Sequence, residues 1–212
     1  IANAYNLADG LNGLLAGLAI TACAAMSWVA WRHGDQFLMV ATASLAAATT
    51  GFAIFNFPRA RLFAGDGGAY LLGSAISLFA ILLCHRHVDV SPWFVFALVL
   101  YPFADTTAAI VRRLATGRPI MAPDADHLHT LLAQRLVQRF GRVGRNLASA
   151  VIVCVSGVTA VLAVALHRDT AAMMMLCGFL AVAFAVAYLA IRPRAPAAAA
   201  ADDIAAEPAK SK

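Results

Sequence analysis

Charge is what this sequence has little of. Only 13% of its 212 residues are Asp, Glu, Lys or Arg, and 62% are hydrophobic. A soluble globular domain carries about 25% charged and about 45–50% apolar residues. The deficit excludes a water-soluble domain and points to a polytopic membrane protein, whose helices meet through small residues. Paired cysteines are missing too. Cys23, Cys84, Cys154 and Cys177 lie far apart, each inside an apolar run. That excludes a CxxC or metal-ligand spacing and leaves them as small buried hydrophobes. No internal repeat is visible. The net charge of +5 does not imply nucleic acid, because the basic residues sit in short loops between apolar runs. There they orient the chain, or meet anionic membrane lipid and phosphate.

What the sequence does have is long apolar runs. A spanning helix needs about 20 mostly apolar residues, and six runs approach this: 14–31, 37–55, 69–84, 93–111, 147–166 and 171–191. The expected fold is therefore all-α, a polytopic transmembrane bundle of six spans within a single domain, 1–191. Residues 192–212 are Ala/Pro-rich with scattered charge and read as a disordered tail. Six spans place the N-terminal segment, the loops 56–68 and 112–146 and the tail on one side. Thirteen of the basic residues fall there, and only Arg32, Arg86 and Arg168 fall on the other side. Basic loops stay cytoplasmic, so the polar motifs are expected at the cytoplasmic face. The chain begins at Ile1, inside a polar motif, which suggests a segment of a longer polypeptide.

Three polar stretches interrupt the apolar pattern on that face. Asp66 lies in Ala64-Gly-Asp-Gly-Gly68, where glycines let backbone amides approach an anion or metal. It reads either as a helix cap or, beside Asn56, Arg59 and Arg61, as part of a charged site. In Asn6-Leu-Ala-Asp9-Gly10-Leu-Asn12-Gly13, a helix would put Asn6, Asp9 and Gly13 on one face. Asp105 is expected about 9 Å inside the fourth span. A carboxylate at that depth is a functional candidate, with a structural hydrogen bond to a neighbouring helix as the alternative.

The third stretch precedes an amphipathic pattern. Leu128, Leu131, Leu132, Leu136, Val137 and Phe140 follow helical spacing, which predicts an interfacial helix capped by Asp124 or Asp126. Arg135, Arg139 and Arg142 fall on its polar side, and His127 and His129 occupy its first turn, where anions are favoured. The second histidine pair, His85 and His87, falls on the opposite side and reads as a solvated loop. Carboxylates hold Mg²⁺ through substrate phosphates, and histidines and arginines take diphosphate oxygens. Arg61 and Arg113 are candidates for the latter. The suggested chemistry is phosphoryl transfer between a polar and a lipid substrate.

These motifs resemble the polyprenyl-phosphate N-acetylhexosamine-1-phosphate transferase family. Asn3-Ala-Tyr-Asn6-Leu-Ala-Asp9-Gly10 is similar to its Asn-Ala-x-Asn-Leu-x-Asp-Gly. Asn56-Phe-Pro-Arg-Ala60-Arg-Leu-Phe63-Ala-Gly65-Asp66-Gly-Gly68 is similar to its Asn-x-x-x-Ala-x-x-Phe-x-Gly-Asp-x-Gly. Pro102-x-x-Asp105-Thr and His127-Leu-His129 match a later helix and a histidine loop. The resemblance implies attack of polyprenyl (undecaprenyl) phosphate on a UDP-N-acetylhexosamine, with release of UMP and with Mg²⁺ as cofactor. The setting would be a bacterial inner membrane and the purpose an envelope polysaccharide.

Carried over, Asp66 is the metal ligand and Asp9 an active-site carboxylate, as ligand or as general base. Asn6 and Asn56 support substrate or metal, Asn12 could hydrogen-bond a uracil, and His127 and His129 contact phosphate. A homodimer is left open. Thr130 stands where the family has a further His, Asn12 where it often has Asp, and Gly67 and Ala69 where it has hydroxyl residues. The resemblance covers a C-terminal half. The family's upstream Asp-Asp pair and the preceding spans have no counterpart, so this segment alone is expected to be inactive. The alternative is a truncated, non-catalytic membrane module of the same family.

Overall fold

The computed structural model describes residues 1–117 and 126–192. Among them are eight helices: α1 (Ala2–Ala8), α2 (Leu14–Arg32), α3 (Gln36–Asn56), α4 (Gly65–Arg86), α5 (Pro92–Ala115), α6 (Leu128–Phe140), α7 (Val143–Leu166) and α8 (Thr170–Ile191). Six of them, α2–α5, α7 and α8, are long and apolar enough to cross a membrane. They coincide with the six expected runs and make the chain a multi-pass membrane protein. The expected tail from 193 onward and the proposed cap Asp124 lie outside the described residues.

Local chemistry sets the ends of the spans. The side chains of Asp35, Ser91 and Asp169 accept from Leu38 N, Trp93 N and Ala172 N, three N-caps on the face opposite the polar motifs. Pro92 opens α5, where its missing N–H costs nothing. Pro102 lies inside α5, as membrane helices tolerate when neighbours satisfy the freed carbonyl. Two helices start earlier than the apolar runs suggest. α4 begins at Gly65, not 69, because the Gly-Asp-Gly-Gly segment is its first turn, and α7 begins at Val143. α5 continues to Ala115, so Asp105 lies about 15 Å from that end along the helix rather than about 9 Å.

α2 is the axis of the bundle. Leu14, Leu15, Leu18, Ala19, Cys23, Met26 and Val29 are all buried on it. α3, α4, α5 and α7 pack around it, while α8 is the most exposed of the spans. Small residues allow the close approaches: a methyl at Gly17 would fall 2.4 Å from Val153 Cγ2 on α7. α1 is a short helix lying against α4. A methyl at Gly73 would fall 2.7 Å from Ala2 Cα.

The expectation that Asn6, Asp9 and Gly13 share one helical face is corrected here. α1 stops at Ala8, Asp9 is its C-cap, and the chain turns before Gly13 starts α2 with φ +77°. Gly10, Asn12 and Gly13 are turn formers, and they outweigh continuation of the helix. The reading of His87 as solvated is corrected too. Its Nε2 lies 3.0 Å from Asp35 Oδ2, with Arg86 Nε 3.1 Å from the same oxygen. A buried carboxylate needs such partners. His33, a further ring in this cluster, contacts His87 and lies 3.0 Å from Asp89. His85 is exposed, as expected.

Candidate functional site at the polar face

α1, the turn before α2, the start of α4 and the start of α6 converge at one end of the bundle. Asp66, in the first turn of α4, makes no helix cap. Its Oδ1 accepts from Asn6 Nδ2 at 3.0 Å, which excludes the capping reading. Asp9 follows one α1 turn after Asn6 and lies near enough to feel Asp66. Partial burial, and then the Asp66 charge, push its carboxyl above the usual range. The two carboxylates repel, and a bound cation would relieve that repulsion. No third His, Cys, Asp or Glu completes a metal cluster among the described residues.

Asn56 and Asn12 hold the loop that leads to Asp66. Asn56 is buried; its Oδ1 accepts from Gly13 N at 2.6 Å and its Nδ2 donates to Leu62 O at 2.9 Å. Asn12 Nδ2 donates to Pro58 O at 3.2 Å. Both asparagines therefore serve backbone groups and fasten the 57–64 loop to the head of α2. Arg61 is exposed on this loop.

The histidines are organised from inside the span. Asp105 is 2% exposed. Its Oδ2 lies 2.8 Å from His127 Nδ1 and 3.5 Å from His129 Nδ1, and its Oδ1 accepts from Leu128 N at 2.8 Å. The last contact caps the Leu128 N–H at the start of α6 from another helix. His127 is the N-cap residue and makes no side-chain cap. Tyr101 Oη is 3.3 Å from His129 Nδ1. The two imidazoles stack with centroids 5.4 Å apart. His129 is buried, and its Nε2 edge presses on the turn after Asp9: a methyl at Gly10 would fall 2.2 Å from it. The histidine segment thus touches the acidic turn directly.

The sequence reading missed Tyr101, because an aromatic in an apolar run carries no signal of its own. Arg113, at the end of α5, is buried. Arg135, on the polar side of α6, donates to Ala190 O and Ile191 O at 3.2 and 3.0 Å, neutralising the end of α8.

Two apolar cavities lie beside this shelf, and Asp9 and Asp66 line neither. One, of about 360 Å³, opens between α5, α6, α7 and α8 and is lined by Tyr101, Leu128, Leu132 and Phe184 among others. The second, of about 530 Å³, lies between α5 and α8, with Arg112 and Arg192 among its lining.

Known proteins resemble this chain over the same region. It is 37% identical over 130 residues to a probable undecaprenyl-phosphate N-acetylglucosaminyl 1-phosphate transferase of Bacillus subtilis, covering 61% of this chain and 36% of that protein. It is 36% identical over 162 residues to a decaprenyl-phosphate N-acetylglucosaminephosphotransferase of Mycolicibacterium smegmatis, covering 63% and 38%. It is 34% identical over 130 residues to a phospho-N-acetylmuramoyl-pentapeptide-transferase of Lactobacillus johnsonii, covering 60% and 39%. The chain thus spans less than two fifths of the length of these relatives. Residues 1–84, which hold Asn6, Asp9, Asn56 and Asp66, match the family model of glycosyl transferase family 4.

Proposed function

We propose that this chain is part of a membrane sugar-1-phosphate transferase. The enzyme moves a phospho-N-acetylhexosamine from a UDP-sugar to polyprenyl phosphate and releases UMP, for an envelope polysaccharide. The observation that carries the reading is convergence: Asp9, Asp66 and the histidine segment come from distant stretches and meet at one end of the bundle. The names of the relatives supply the substrate classes. The excess of basic residues on this side orients it to the cytoplasm of a bacterial inner membrane.

Asp9 and Asp66 fit Mg²⁺. This ion uses one or two carboxylates with waters and substrate phosphates, not a full protein cage, and the acidic pair offers that donor set. Bound there, it would neutralise charge on the diphosphate. The chain's own groups do the remaining work. Asn6 holds the Asp66 carboxylate in place, and Asn12 and Asn56 fix the loop before it. Arg61 stands at the exposed rim as a counter-charge for phosphate. The apolar cavities beside α5 suit a prenyl chain, which keeps the lipid phosphate at the polar end. Loss of UMP is then a displacement at phosphorus, in which positioning and charge neutralisation dominate.

The test is transfer by the full-length gene product in proteoliposomes with UDP-N-acetylglucosamine and undecaprenyl phosphate. Formation of lipid-linked sugar with stoichiometric UMP is expected only with Mg²⁺. Asp66→Asn is expected to lower turnover on the order of 100-fold or more. Full activity of Asp66→Asn, or turnover indifferent to chelator, overturns the proposal.

A further inference from the structure

A carboxylate buried in a membrane span is costly and rarely idle. Asp105 cannot meet a ligand itself: it is 2% exposed, and both its oxygens are engaged. Oδ1 accepts the Leu128 N–H and Oδ2 faces the His127 ring. We infer that Asp105 is a positioning residue, which holds His127 as the Nδ1–H tautomer and anchors the first turn of α6. The inference rests on the proposed function for its consequence in catalysis, but not for its geometry.

The argument is one of donors and acceptors. An ionised carboxylate only accepts, so at 2.8 Å the bridging proton sits on His127 Nδ1. A neutral imidazole carries one N–H, so Nε2 presents its lone pair. That nitrogen has no hydrogen-bond partner among the described residues, although the ring is otherwise enclosed. His127 can therefore take a proton at Nε2. Once it has done so, the Asp105 carboxylate balances the imidazolium, which then donates Nε2–H to a phosphate oxygen. The ligand class is an oxyanion that exchanges a proton, such as a phosphate monoester.

His129 has a different part. Its Nδ1 faces Tyr101 Oη at 3.3 Å and, more distantly, Asp105 Oδ2 at 3.5 Å, and its Nε2 edge rests on Gly10, so it is a strut between α5 and the Asp9 turn. The two histidines of one short motif thus divide into a ligand-facing ring and a supporting ring. Their sequence neighbourhood gives no hint of this.

Asp105→Asn separates the roles. Asn has one acceptor oxygen for two N–H groups. If the oxygen keeps the Leu128 N–H, the amide NH₂ turns to His127 Nδ1 and drives the ring to the Nε2–H tautomer. The same substitution in the serine-protease triad, where the wrong tautomer abolishes most activity, shows the scale.

The experiment uses full-length protein labelled with ¹⁵N-histidine in detergent micelles, with His127→Gln to assign the resonances. Wild type is expected to show His127 as Nδ1–H, and Asp105→Asn as Nε2–H, with the histidines other than His127 and His129 unchanged. In transfer assays Asp105→Asn is expected to lose about 100-fold or more in kcat, with KM within about threefold. The Asp105→Asn/His127→Gln double variant should be no slower than His127→Gln alone. If Asp105→Asn fails to fold, the wild-type spectrum still decides: an Nε2–H tautomer there overturns the inference. So does an unchanged tautomer in Asp105→Asn, or turnover within threefold of wild type after the tautomer has switched. If wild type itself transfers nothing, the proposed function falls, and the tautomer comparison still tests Asp105.

Discussion

Asn56→Ala separates two readings of the Asn56 side chain. If the amide supports substrate or metal, the variant loses turnover and keeps its stability. The structure predicts the reverse order of effects. Asn56 is buried, and its amide is the partner of Gly13 N–H at 2.6 Å and of Leu62 C=O at 2.9 Å. Alanine leaves both backbone groups without that partner. An unsatisfied buried group costs about 1–3 kcal/mol, so the pair amounts to about 2–6 kcal/mol. For a chain of this size about 1 kcal/mol moves Tm by about 2–4 °C, so even the lower bound gives a fall of about 4–8 °C. Asn56→Asp retains the acceptor for Gly13 N–H but sets an unpaired buried carboxylate against Leu62 C=O, so its fall should be at least as large. The assay is thermal unfolding in detergent, alongside transfer rates taken well below both midpoints. Rates fall in this view because the loop that sets Asp66 loosens, and they should follow Tm across the series. An Asn56→Ala protein that melts within about 1 °C of wild type, yet turns over at least tenfold more slowly, would refute the reasoning.

Three further outcomes are expected. Gly73→Val places side-chain atoms against the Ala2 backbone, where a methyl already falls 2.7 Å away. α1 should shift off α4 at a cost of about 1–3 kcal/mol, parting Asn6 from Asp66, with turnover lost and membrane insertion unchanged in fractionation. Asp9 is held above the ordinary carboxylate range by burial and by Asp66. The stability it contributes is therefore full below about pH 4 and is lost as pH rises through its folded value. Asp9→Asn should consequently raise Tm at neutral pH without divalent cation, and blunt the rise that Mg²⁺ gives wild type. On the opposite face, burial pushes the Asp35 carboxyl up. The Leu38 N–H, the His87 hydrogen bond and the Arg86 and His87 charges outweigh that and hold it below the ordinary range. Its contribution is present above about pH 4 and lost as pH falls through its lower folded value. Acid unfolding followed by circular dichroism should begin at higher pH in Asp35→Asn, which lacks that ionised carboxylate at every pH.

Much of the site was legible because its residues are polar where the chain is otherwise apolar. Asp9, Asp66 and His127 stand out against such a background, and alternation of the spans puts them at one end. What their neighbours do was not legible. Asn56 and Asn12 look like ligand-binding amides in sequence, but an amide serves a backbone carbonyl as readily as a uracil, and only the loop geometry chooses. The cap of α6 shows the same limit. The Leu128 N–H at its start is taken by Asp105 on another helix, since hydrogen bonds depend on distance in space and not along the chain.

The number of spans, their order and the face that gathers the acidic and imidazole groups came from composition alone, because the cost of carrying charge and unpaired backbone through lipid leaves a hydrophobic chain few alternatives. Tertiary structure alone decided which histidine pairs most closely with Asp105 and which rests on Gly10. It also decided that Asp105 orders them from within the span and that α1 folds back against Gly73. Those outcomes depend on contacts of a few ångströms between segments up to about a hundred residues apart, and packing at that range is a property of the assembled bundle, not of any one stretch.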